Sequence, residues 1–214
     1  ILARYLVGGG KPASPHAHEQ RKPRRHPNEH LINAESHGRY LDKHVKKAGF
    51  RYEKDQPTVI RSLKYLPDNY HLVLVGDGER RAEFETLISK LRLENRVHLL
   101  GLRNDVPSIL KSSDVVVMSS HREGLSLSNV EGMASGNPFV ASDVEGLREV
   151  TKGYGVLFPH GNDKVLANII IKLTTDNTYR EEVIHKCQER AMQYDISTMA
   201  VNYNNVYKEL IRKR

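Results

Sequence analysis

From about residue 50 onward, short apolar runs alternate with longer stretches of helical period. His71 to Val75, Val97 to Leu100, Val115 to Met118, Pro138 to Ala141 and Gly155 to Phe158 are short, rich in β-branched residues and fenced by Gly, Pro, Asp or Ser. Such runs read as strands buried on both faces of a sheet. Between them, apolar positions recur every three or four residues: Val59, Ile60, Leu63 and Leu66 behind Pro57; Phe84, Leu87, Ile88 and Leu91 within Glu79 to Leu93; and Leu127, Val130, Met133 and Ala134. That period belongs to amphipathic helices, with Pro57 suited to a first turn and Ser126 or Ser128 to an N-cap. A short helix is expected to begin at Asn104 or Asp105 and another after Ser142 to Leu147. Three more finish the chain, about Asp163 to Thr174, Tyr179 to Gln193 and Ile196 to Ile211. Strands alternating with helices predict an α/β fold, a doubly wound, Rossmann-like parallel sheet.

Residues 1–47 break this pattern. Gly8-Gly9-Gly10, prolines at 12, 15, 23 and 27, and six histidines by residue 44 leave no periodicity, so a basic, His/Pro-rich leader of loop or poorly ordered chain is expected there, with the folded domain over 48–214. An opening strand at His44 to Phe50 is more basic than a buried strand should be. The chain of 214 residues carries a net charge of +7, but residues 1–50 hold 10 Lys and Arg against 4 Asp and Glu, leaving 23 against 22 elsewhere. The excess belongs to the leader, where Arg21, Lys22, Arg24 and Arg25 read as a solvated basic linker before they read as a phosphate patch. Nucleic acid is therefore not the expected partner. No apolar stretch approaches the roughly 18–20 residues that span a bilayer. One cysteine, Cys187, gives no internal disulfide and suits a reduced, cytoplasmic setting. No Cys or His spacing makes a zinc site, and no metal is expected.

The candidate chemistry follows the Val115 to Met118 strand. In open parallel sheets a ligand binds beyond the carboxyl ends of the strands, where helix N-termini favour anions. Glu123 lies in such a loop, and Glu131 follows eight residues later, about two helical turns on. One carboxylate can reach a group being transferred while the other binds a ribose diol, although two glutamates at this spacing, taken alone, read as a solvated surface first. Arg51 and Lys54, taken alone, read as an ordinary surface turn. Gly76-Asp77-Gly78 ends a strand with a turn that lets a ligand or another backbone come close.

The ordered motifs carry more. Ser119-Ser120, Glu123-Gly124-Leu125, Glu131 and Met133-Ala134-Ser135-Gly136-x-Pro138 resemble the E-x7-E region of retaining GT-B glycosyltransferases, glycosyltransferase family 4 in particular. Val73 to Gly78, Val97-x-Leu99-x-Gly101, Asp105 to Val115, Val144 to Glu149 and Gly155 to Phe158 resemble that family's successive blocks in order, so that the likeness covers about residues 48–214. The resemblance implies the carboxyl-terminal, donor-binding half of a GT-B fold that uses no cofactor or metal and takes a nucleoside diphosphate sugar as substrate, a UDP-sugar favoured over a GDP-sugar. It implies Glu123 at the donor sugar, as nucleophile or by electrostatics; Arg51, Lys54 and the backbone of Leu125, Ser126 and Leu127 at the diphosphate; and Glu131, Leu102, Arg103 and Gly76 at the ribose and base. The sequence departs from the pattern at Ser126, where Gly or Pro is frequent, and at Gly132, which weakens a helix by about 1 kcal/mol relative to Ala.

The implied reaction moves a hexosyl group to a glycan or lipid-linked acceptor, in the cytoplasm or at the inner face of the membrane, with polysaccharide assembly the usual setting. In that family an amino-terminal acceptor domain precedes the donor domain, and its absence here is expected to leave the chain able to bind donor but inactive alone. The final helix is expected to expose the apolar face holding Met199, Val206 and Leu210. Competing readings are a related nucleotide-sugar epimerase, which would need an acid and a base beside Glu123, and a non-catalytic module attached by its basic leader to an acidic partner or membrane surface.

Overall fold

The computed structural model describes residues 3–7, 49–124 and 126–212, with side chains from residue 49 onward. In chain order these form β1 (Ala3–Val7), α1 (Gln56–Ser62), β2 (Tyr70–Leu74), α2 (Arg81–Lys90), β3 (Val97–Leu99), α3 (Val106–Lys111), β4 (Val115–Met118), α4 (Leu127–Ala134), β5 (Phe139–Ser142), α5 (Glu145–Thr151), β6 (Val156–Phe158), α6 (Asp163–Thr175), α7 (Asn177–Met192) and α8 (Ile196–Arg212). Single 3-10 turns at Tyr52–Lys54 and Leu63–Tyr65 flank α1.

One six-stranded sheet runs β3-β2-β1-β4-β5-β6. β2 with β3, β4 with β5 and β5 with β6 are parallel, as expected of strands linked by helical crossovers. β1 is the exception. It lies in the leading segment and pairs antiparallel with both central neighbours, Tyr5 opposite Leu72 on one side and Val115 on the other. Of residues 44–50, where an opening strand was considered, 44–48 lie outside the described residues and Gly49 and Phe50 form a bend; the central position belongs to Ala3–Val7.

The apolar runs are buried as their composition demands. Every residue of β4 and β5 is buried, with Phe84, Phe139, Phe158, Met118 and Met133 inaccessible to solvent among them and the helices. Phe50 joins them edge-on to Phe84, with ring centroids 5.0 Å apart. Helices cover both faces, α1 packing on α6 and α4 on α7. Arg180 ties α7 to the sheet by donating to Asp114 O at 2.5 Å and to Asn137 Oδ1 at 3.2 Å, while Asn137 Nδ2 donates to Leu110 O at 2.8 Å. The α8 side chains are exposed throughout, Met199, Val206 and Leu210 included.

Two stability outcomes follow. Phe139→Ala empties the space of a wholly buried ring and should cost about 3–5 kcal/mol by urea denaturation, with the fold retained. Cys187 is also wholly buried, which pushes its thiol up from 9.0 to about 11. Above pH 9 the unfolded chain releases a proton that the folded chain keeps. Stability from this group is therefore complete below pH 9 and is lost as the pH rises toward 11. At pH 8 a thiol reagent should label the native protein far more slowly than the urea-unfolded chain.

Candidate functional site

The carboxyl end of β4 opens into Ser119, Ser120, His121, Arg122, Glu123 and Gly124, and two serines anchor this loop. Ser119 Oγ donates to Lys54 O and Asp55 O at 3.0 and 2.9 Å, drawing the 52–55 turn against the strand end. Ser120 N donates to Ser142 Oγ at 2.8 Å, and Ser142 Oγ returns a bond to Ser120 O at 2.9 Å, joining the ends of β4 and β5. His121 N reaches Glu53 O at 2.8 Å. The turn and the β4 loop thus form one continuous surface.

On that surface Lys54 and Glu123 form a close ion pair through Lys54 Nζ and Glu123 Oε2, with side chains only 21% and 15% exposed. Ser120 Oγ donates to the same carboxylate oxygen at 3.1 Å. Of the two expected cations, Lys54 therefore meets the expected carboxylate, and Arg51 stays exposed on the same turn. The position of Glu123 also depends on a backbone approach: Gly146, in α5, leaves no space for a side chain, since a Cβ there would lie 2.0 Å from Glu123 O.

The remaining expected residues divide into two groups. Gly76 N donates to Gly101 O at 2.8 Å, bringing the β2 turn beside the loop after β3, where Leu102, Arg103, Asn104 and Asp105 line an open depression of about 360 Å³. Arg103 is held by both oxygens of Asp105 at 2.8 Å, which raises the guanidinium pKa and lowers that of the carboxyl. Asp105 is the N-cap residue of α3, and Arg103 reaches back to it. At α4, Ser126 occupies the N-cap position but its side chain makes no capping bond, contrary to expectation; its carbonyl accepts from Asn129 N at 3.0 Å instead. Leu127 is 71% exposed at the first helical position, and Glu131 is exposed on α4. Leu125 lies outside the described residues.

Three further residues converge that sequence reasoning did not bring together: Asp55, His121 and His160. Asp55 takes a left-handed backbone conformation at φ 41° and is 4% exposed. The position of His121 next to Ser120 and of Asp55 next to Lys54 was the only signal available; their approach to His160, beyond β6, is a product of the fold.

The strand order, with Lys54 and Glu123 at the carboxyl end of β4 beside the point where the order reverses, defines a Rossmann-type α/β domain of the kind that binds ligands at such a switch point. A sequence profile of the family described as Glycosyl transferases group 1 matches residues 43–191. The chain belongs to that family. It is 31% identical over 153 residues to the N,N'-diacetylbacillosaminyl-diphospho-undecaprenol alpha-1,3-N-acetylgalactosaminyltransferase of Campylobacter jejuni, covering 71% of this chain and 40% of that protein. It is 34% identical over 114 residues to the UDP-Gal:alpha-D-GlcNAc-diphosphoundecaprenol alpha-1,3-galactosyltransferase of Escherichia coli, covering 52% of this chain and 29% of that one. The chain thus spans less than half the length of these relatives. Among solved structures, Anabaena HepE in complex with UDP superposes with a TM-score of 0.71 at 28% identity over 76% of this chain and 47% of that chain. The expected fold, the Rossmann-like half of a GT-B enzyme, agrees with these neighbours. No described helix is long and apolar enough to cross a membrane.

Gly146→Ala tests the backbone approach. The added methyl must displace the Glu123 carbonyl, so the variant should lose about 1–3 kcal/mol of stability, with amide chemical-shift changes concentrated at 120–124 and 145–148. Unchanged shifts in that loop would contradict the close approach.

Proposed function

We propose that this domain is the nucleotide-sugar donor-binding part of a retaining, family 4 type glycosyltransferase, transferring a hexosyl group from a UDP-sugar to a glycan or lipid-linked acceptor. The observation that carries this reading is the Lys54–Glu123 pair at the carboxyl end of β4, a cation and a carboxylate held together where the sheet order reverses. A diphosphate arriving there draws Lys54 from Glu123, and the freed carboxylate then accepts hydrogen bonds from donor-sugar hydroxyls near the reacting carbon. Arg51 adds charge from the same turn. The backbone of Leu125, Ser126 and Leu127 at the start of α4 supplies N–H groups, Glu131 binds the ribose, and Gly76, Leu102 and Arg103 form the wall against the base. No metal enters this scheme, because Lys54, Arg51 and the helix start supply the positive potential that a leaving diphosphate needs.

The names of the relatives support the substrate class. One is a UDP-galactose transferase acting on an undecaprenol-linked acceptor, and HepE has been crystallised with UDP-glucose as well as UDP. On this reading the chain acts in the cytoplasm, at the membrane face where such acceptors are found. An acceptor must be held across a cleft from the donor, so the domain described here binds donor but transfers sugar only with a second surface, an acceptor domain, facing it.

Calorimetric titration with UDP, GDP and ADP is the test. UDP should bind most tightly, and Glu131→Ala and Lys54→Ala should each weaken it by about 1.5–3 kcal/mol, the range for hydrogen bonds to charged groups. Absence of binding by any nucleotide to the folded chain would overturn the donor-site reading. Sustained product formation from a labelled UDP-sugar by the chain alone would overturn the need for a second surface.

A further inference from the structure

We infer that Asp55, His121 and His160 form a binding site for a transition-metal dication of the zinc class, next to the Lys54–Glu123 pair and distinct from it. The three side chains come from three segments far apart in sequence: the 52–55 turn, the loop after β4 and the loop after β6. His121 Nδ1 and His160 Nε2 are 2.5 Å apart, His160 Nε2 lies 3.5 Å from Asp55 Oδ2, and His121 Nε2 lies 3.9 Å from Asp55 Oδ1. One ligand atom from each falls within 4.8 Å of the other two. An ion bound tetrahedrally at 2.0–2.1 Å keeps its ligand atoms about 3.3 Å apart. These distances involve both nitrogens of His121 and both oxygens of Asp55, so an ion is admitted once one atom of each residue, now within 4.8 Å of the other two, draws to about 3.3 Å from them, by shifts of about 1–2 Å.

An independent observation points to a ligand. Asp55 Oδ2 is buried and has no hydrogen-bond partner among the described residues, while Oδ1 accepts from Thr58 Oγ1 at 2.9 Å. A buried carboxylate oxygen without a donor is costly, and a dication beside it removes that cost. The surroundings are built to hold the ligands in place: the Tyr52 ring stacks on His121 with centroids 4.7 Å apart, the His121 amide is tied to Glu53 O, and Asp55 is locked in its left-handed conformation. The two imidazole side chains are 29% and 38% exposed, which leaves an entry path and a fourth position for water. Two imidazoles and one carboxylate favour zinc and its first-row neighbours over calcium or magnesium, which take mainly oxygen ligands. An ion here would tether all three segments and so stiffen the turn that carries Lys54 and the loop that carries Glu123.

The test uses the full chain, stripped of metal, with Zn²⁺ titrated calorimetrically and Co²⁺ followed by its visible spectrum, in the absence of nucleotide so that the outcome is separate from donor binding. One equivalent of Zn²⁺ should bind with micromolar affinity or better, Co²⁺ should give the intense visible bands of a tetrahedral site, and Zn²⁺ should raise Tm. His160→Ala and Asp55→Asn should each weaken Zn²⁺ binding at least tenfold. Both should fold, since His160 is partly exposed and Asn tolerates a left-handed backbone. His71→Ala, which breaks a second imidazole pair formed with His98, should leave the titration unchanged. The inference fails if the folded chain binds no Zn²⁺ at micromolar concentration. It fails equally if both His160→Ala and Asp55→Asn bind Zn²⁺ as tightly as the parent, the metal then being held by histidines elsewhere in the chain.

Discussion

A single hydroxyl decides where the charged groups of this domain lie. Ser119, the first residue beyond β4, donates to the carbonyls of Lys54 and Asp55, and those bonds hold the 52–55 turn over the strand end against the entropy of a short exposed loop. Lys54 then faces Glu123 and Asp55 faces the two histidines. Ser120 and Ser142 act in the same way one strand over, fixing the loop that carries Glu123 to the end of β5. Small hydroxyl residues with few rotamers thus set the positions of long charged side chains through their bonds to backbone groups.

The Lys54–Glu123 pair has consequences of its own. Neither side chain is well exposed, and a partly buried charge without its counterion is costly. The pair keeps each member neutralised. On the proposed reading, a ligand that offers only an anion or only a hydroxyl-rich group leaves one partner uncompensated, which favours a whole sugar nucleotide over either of its halves.

Much of this arrangement is legible in the sequence, for identifiable reasons. β4 is an uninterrupted apolar run buried along its whole length, β2, β3, β5 and β6 are short runs dominated by apolar residues, and α6, α7 and α8 announce themselves by long, regular periods. The turn at Gly76, open to another backbone, is legible in the same way, and Gly101 is the backbone that meets it. What the sequence conceals is of two kinds. Residues such as Asp55, His121 and His160 meet only because three loops end at one edge of the sheet, and no local spacing encodes that. β1 is hidden because Ala3–Val7 is set beside a glycine run in a segment without periodicity, and because its partners lie far along the chain. The Ser126 cap fails for a more local reason: a suitable residue in the N-cap position does not oblige its side chain to turn toward the helix.

The position of β1 bears on how the domain is assembled. β2 and β3 are neighbours in both sequence and sheet, as are β4, β5 and β6, so each group can form from nearby contacts. The two groups are joined across β1, whose partner strand β4 lies more than 100 residues further along the chain. Closing so long a loop is slow. Until it closes, β2 and β4 each present an unpaired hydrophobic edge, the kind of surface on which chains add to one another. A shortened form beginning at residue 49 would make those open edges permanent, and its solubility, more than its ligand affinity, would register the loss of the five-residue strand β1.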